Sequence, residues 1–83
     1  MTKKEKQFIE DMKRVRGIDF VRLGMLVEVE GDPGTIKGMN YSGNLKVVFA
    51  NQLKHGKGKK NCHPGWKIKY FDKDGIMIAE YDE

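Results

Sequence analysis

The sequence predicts an α+β domain, an N-terminal helix followed by a small five-stranded antiparallel β-barrel, closed or nearly closed. Three observations predict it. Apolar residues recur at helical spacing before Gly17 and alternate after Leu23. Gly, Asn and Asp cluster at regular intervals between the alternating runs, as tight turns require. With 83 residues, 39% of them hydrophobic, and 10 glycines, the chain makes one turn-rich domain near the lower size limit for folding without metal or disulfide support. We divide it into a helix at 1–17 and a barrel at 18–83, with a hinge near Gly17–Leu23.

Residues 2–16 carry the helix. Thr2 and Glu5 have capping-box spacing, and Gly17 is a natural stop. Phe8, Ile9, Met12 and Val15 form a narrow apolar stripe, and Glu10 and Arg14 are spaced as an i,i+4 ion pair. The stripe is expected to dock on the rest of the domain, a partner chain being the alternative.

Met25 to Glu30 alternates as the first strand, with Met25, Val27 and Val29 on one face. Gly31-Asp32-Pro33-Gly34 is expected as a tight turn, followed by a strand over Thr35–Met39. A second turn, Asn40-Tyr41-Ser42-Gly43, leads into Asn44–Phe49, with Leu45, Val47 and Phe49 inward. After a basic loop, Gly65–Phe71 forms a fourth strand with Trp66, Ile68 and Tyr70 on one face, which favours Trp66 and Tyr70 as core residues. Asp72-Lys73-Asp74-Gly75 turns the chain into the last strand, Ile76–Tyr81, where Ile76 and Ile78 oppose Met77 and Ala79.

The formal net charge of +4 is unevenly spread. Residues 50–71 hold six lysines and no acid, whereas residues 72–83 hold five acids and one lysine. A Gly/Lys loop running into a strand of alternating lysines and apolar side chains suits a polyanion lying across a small sheet. The same composition describes a solvated hairpin tip that contacts nothing. The acidic end either compensates internally or turns away from an anionic partner. A single cysteine excludes an internal disulfide and fits a reducing compartment. No apolar run approaches the roughly 18 residues of a membrane span, and no signal-peptide block is present, so a soluble cytoplasmic protein without a membrane partner is expected.

The residues expected to contact nucleic acid or a partner are Lys54, His55, Lys57, Lys59, Lys60, Lys67 and Lys69, with Phe71 and Tyr41 as exposed aromatics. Lysines would meet phosphates and aromatics would stack on bases. No catalytic residue, cofactor, metal or small-molecule substrate is expected. Cys62 and His63 are adjacent, but neighbouring side chains on a strand point apart, and four zinc ligands are not at hand. Cys62 is expected as a small buried hydrophobe and His63 as a turn residue before Pro64. Asp72-Lys73-Asp74-Gly75 lacks the remaining positions of a calcium loop. Gly56-Lys57-Gly58-Lys59-Lys60 lacks the Ser/Thr of a phosphate loop.

The run from Leu23 through Val27-Glu28-Val29-Glu30-Gly31-Asp32-Pro33-Gly34 to Gly38 resembles the opening hairpin of SH3-like barrels of the KOW type. The segment Asn61–Gly75 looks like part of small phage and prophage proteins. Together these cover roughly residues 23–80. The resemblance implies an SH3-like β-barrel that binds RNA, DNA or a protein rather than catalysing a reaction. The leading helix and the lack of long basic tails set the chain apart from ribosomal KOW proteins. Two functions follow as expectations. One is a phage-type nucleic-acid-binding module using the 54–69 lysines in the host cytoplasm. The other is a module or inhibitor docking on a host or phage protein, for example a defence or nucleic-acid-handling complex, through the basic loop or the acidic end.

Overall fold

Helix α1 spans Lys3–Arg16 in the computed structural model, which describes residues 2–40 and 42–81. The hydroxyl of Thr2 accepts from the Glu5 amide at 3.1 Å, so the expected cap forms. Gly17 takes a left-handed φ of 68°, its N–H donating to the Lys13 carbonyl while that of Ile18 donates to Met12. Phe8 and Met12 are buried in the domain's own core, Ile9 is partly buried, and Val15 stays largely exposed. The helix therefore docks in cis. Arg14 pairs at 2.8 Å with Asp11, one residue from the predicted Glu10. Positions three and four apart are both neighbours on a helix, and Gln7 also donates to the Asp11 carboxylate.

The predicted hinge is part of the core instead. Ile18 and Val21 are buried, and Phe20 packs edge-on against Tyr70 at 5.1 Å. Apolar spacing in so short a segment carries no period, so only its packing partners reveal it.

Six strands, not five, form one antiparallel sheet: β1 Leu26–Val29, β2 Asp32–Met39, β3 Leu45–Phe49, β4 Lys60–Cys62, β5 Ile68–Phe71 and β6 Met77–Tyr81. Their order is β4-β3-β2-β1-β5-β6. Among the described residues β4 and β6 do not pair, so the sheet is open rather than closed into a barrel. The extra strand is only three residues long and polar. It exists because Cys62 and Lys60 pair with Leu45 and Val47 at the free edge of β3, a register that no local pattern announces.

The first hairpin turns two residues earlier than predicted, at Val29–Asp32 rather than Gly31–Gly34. Val29 pairs with Asp32, and Glu30 and Gly31 carry φ of 51° and 86°. Two left-handed residues give the turn whose twist matches its flanking strands. Pro33 and Gly34 consequently enter β2. Gly34 is needed for packing, since a Cβ there would lie 2.6 Å from Val47 Cγ1 and 3.1 Å from the Val48 carbonyl. The Asn40–Gly43 turn forms as expected where it is described, with the Asn40 carboxamide oxygen accepting from the Ser42 and Asn44 amides.

Val27, Val29, Ile36, Leu45, Val47, Phe49, Cys62, Ile68 and Tyr70 make the sheet's share of the core, packed with Phe8 and Met12 of α1 and with the 18–21 segment. The Tyr70 hydroxyl donates to the Pro64 carbonyl at 2.6 Å, and burial drives its pKa upward. The radius of gyration is 11.9 Å, close to the roughly 12 Å of a compact domain of this length. No helix of the described residues is long and apolar enough to cross a membrane.

Candidate polyanion-binding surface

The basic stretch is more ordered than a flexible loop. Asn51 caps a one-turn helix, α2 (Gln52–His55), by accepting from the Lys54 amide. This turn lays Lys54 and His55 over Asp32. Lys54 Nζ and His55 Nε2 each lie 2.9 Å from Asp32 Oδ2, and a carboxylate only accepts, so Nε2 carries the hydrogen. The His55 ring also stacks on Phe49 at 4.1 Å. The hydrogen bond from Lys54, then that from His55, holds the Asp32 carboxyl below the usual carboxylate range. Both side chains thus pin the loop to the β1–β2 hairpin.

Lys69 is shared between two acids, 3.9 Å from Glu28 on β1 and 3.9 Å from Glu80 on β6. Lys67 has a left-handed φ of 45°, its carbonyl accepts from the Glu30 amide, and its ammonium sits 5.2 Å from the Trp66 ring centroid. That backbone reversal breaks the expected 66/68/70 alternation. Ile68 and Tyr70 are buried, but Trp66 is 42% exposed rather than a core residue. Phe71 is half-buried on the outer face, as alternation from Tyr70 requires. Tyr41 lies outside the described residues.

Lys57, Lys59 and Lys60 are exposed and have no carboxylate within 4 Å among the described residues. Lys59 belongs to a feature that the basic stretch alone does not reveal. A trough of about 330 Å³ between α1 and the β2–β3 pair is rimmed by Lys4, Lys37, Lys46 and Lys59, with Phe8 and Met39 on its apolar floor. It continues past Asp11, Met39 and Lys46 into a second hollow of about 480 Å³ that reaches Arg14 and Asn40.

Local geometry puts each lysine there. Lys4 lies on the first turn of α1. Lys37 sits in the register shift between Ile36 and Gly38, where the extra residue turns the strand. Lys46 pairs with Gly38, and the missing side chain lets its aliphatic stem cross β2. Lys59 immediately precedes β4. The one carboxylate that lines the trough among the described residues, Asp11, is occupied by Arg14 at 2.8 Å and Gln7 at 2.9 Å, which hold its pKa below the usual range. Lys4, Lys37 and Lys46 escape sequence reading because single lysines in three separate elements carry no shared signal.

Cys62 and His63 point apart as expected. The thiol lies in the core, and burial, then the charge of Glu30, raises its pKa. His63 Nδ1 accepts from the Gly65 amide, and its Nε2 lies 3.4 Å from Arg16 Nη1. A shallow hollow of about 300 Å³ near Trp66 brings Asp32, His55, Cys62 and His63 to one rim. Asp32 and His55 are already bonded to each other there, and a thiol with a raised pKa is a poor nucleophile.

Comparison with known protein families, with curated proteins and with solved structures returned no match to this chain.

Proposed function

We propose that the chain is a non-catalytic module that holds the phosphate backbone of a nucleic acid along the trough between α1 and β2–β3. One observation carries this reading: four lysines from four segments converge on one trough whose only carboxylate among the described residues is already paired. Cations left without internal partners are the ones available to displace counterions from a phosphate chain. Lys57 and Lys60 are further exposed cations with no carboxylate within 4 Å among the described residues, though neither lines the trough. Lys54, His55 and Lys69 instead serve the fold. The apolar floor accommodates sugars and base edges, and the arrangement reads shape and charge rather than sequence. Kinship with SH3-like barrels of the KOW type, and a phage or mobile-element origin, belong to the same proposal. Short antiparallel strands punctuated by glycine support the kinship.

The test is fluorescence anisotropy with labelled single- and double-stranded DNA and RNA across a salt series. The comparison sets the wild type against Lys4, Lys37, Lys46 and Lys59 all changed to Ala. The slope of log affinity on log salt should shrink by roughly 0.9 per lysine on duplex DNA and roughly 0.7 on single strands. Lys69→Ala should change the slope far less, because its ammonium already faces two carboxylates. Absence of binding at low salt, or an unchanged slope in the quadruple variant, would sink the proposal.

A further inference from the structure

At the opposite side of the sheet, β6 is an outer strand with no partner on its far edge among the described residues. Its side chains are unusual for an open edge. Natural edges carry lysine, proline or a bulge to hinder further pairing. Residues 76–81 have no lysine or proline, and the bulge at Ile78 leaves Ala79–Tyr81 in regular register. Ile76, Met77 and Ile78 are 62%, 49% and 45% exposed. They are successive because the register shifts between Tyr70 and Phe71, leaving Ile78 as an additional residue.

Two cross-strand rows end at this edge on the face away from the core. In the first, Leu26 pairs with Phe71 and Phe71 with Met77, an apolar row whose outer end is open. In the second, Glu28 pairs with Lys69 and Lys69 with Glu80, so charge alternates negative, positive, negative. One lysine serves two acids, and the row ends on an acid in excess. Beside the apolar row, between Leu23–Leu26 and the Asp72–Gly75 turn, lies an open hollow of about 820 Å³ bordered by Met25, Phe71, Asp72 and Asp74.

We infer that β6 is the docking edge for an extended strand of a partner protein that carries a basic residue, any residue, then an apolar one. Added antiparallel, such a strand sets its cation against Glu80 and its apolar side chain against Ile78 and Met77, continuing both rows by one position. Main-chain bonds supply affinity and the alternate side chains supply specificity. A second copy does not fit. Strand β6 contains no cation, so no register of β6 on β6 neutralises Glu80. The basic edge of this chain, β4, pairs Asn61 with Lys46 and so presents an amide on the matching face.

The experiment uses two capped hexapeptides, Thr-Lys-Thr-Val-Thr-Val and its twin with Glu for Lys, titrated into the full chain by NMR. The wild type should bind the lysine peptide with at least roughly fivefold preference, given the penalty for like charges directly opposite in a sheet. Glu80→Lys should reverse that preference. Hydrogen exchange of the 77–81 amides should slow in the complex. Met77→Thr, on the exposed face, should weaken the lysine peptide without altering the melting temperature. Equal affinity for both peptides, no binding, or binding without protection of β6 would overturn the inference. So would a concentration-dependent dimer that excludes the peptide, which would assign the edge to self-association.

Discussion

At the scale of single residues, Asp32 does the most to convert a loop of lysines into structure. Its carboxylate gathers Lys54 and His55 from α2 and ties them to the first hairpin. Its pKa is depressed in the folded protein, so its contribution is present above the ordinary carboxylate pKa and lost as pH falls through the lower folded value. Urea midpoints measured from about pH 6 down to about pH 3 should therefore fall below about pH 4. Asp32→Asn should flatten part of that fall, and the depressed Asp11 should retain the rest. Identical profiles for the two proteins would show that the pair adds nothing to folding. Lys67 matters for a different reason. Its left-handed backbone turns Trp66 outward, and no pattern of apolar residues could have shown it, because periodicity assumes that every residue of a strand stays extended.

At the scale of elements, the helix is held by more than its apolar stripe. The Arg16 guanidinium donates to the Ser42 carbonyl at 3.0 Å, the Gly43 carbonyl at 3.2 Å and the Asn44 carboxamide oxygen at 2.9 Å. This fork fastens the C-terminal end of α1 to the β2–β3 turn, beside the trough. A lysine carries the same charge but reaches fewer acceptors. Arg16→Lys should cost about 1–2 kcal/mol of stability by urea denaturation, the charge-assisted hydrogen-bond range discounted for partial exposure. A change near zero would mean the docking rests on Phe8 and Met12 alone. Helix α1 was legible because cap, stripe and stop agree locally. Strand β4 was not, because three polar residues become a strand only when β3 offers a free edge.

At the scale of the molecule, charge and apolar surface are segregated. The basic trough lies over β2–β3, and the acidic, apolar edge lies at β6, three strand spacings from β2 and four from β3. At about 4.8 Å per spacing along the sheet this is roughly 14–19 Å, beyond the Debye length of about 10 Å at 0.1 M salt. The two surfaces should therefore act independently. With Lys4, Lys37, Lys46 and Lys59 changed to Ala, affinity for the lysine hexapeptide should stay within about twofold at that ionic strength. A larger change would show that the trough and the edge are coupled through the sheet.

The sequence by itself determined the α1 boundaries, the alternation of β1 and β3, the buried places of Cys62 and Tyr70 and the Asp72–Gly75 turn, because each depends on neighbours within a few positions. It also determined that a basic segment precedes an acidic one. The tertiary structure alone decided that the sheet has six strands and stays open, that Lys54, His55 and Lys69 are bound to acids, and that Lys4, Lys37, Lys46 and Lys59 meet. Those outcomes depend on which strands lie side by side. Strand register is a long-range contact pattern, and a cation is free or paired only with respect to residues the chain brings back from far away.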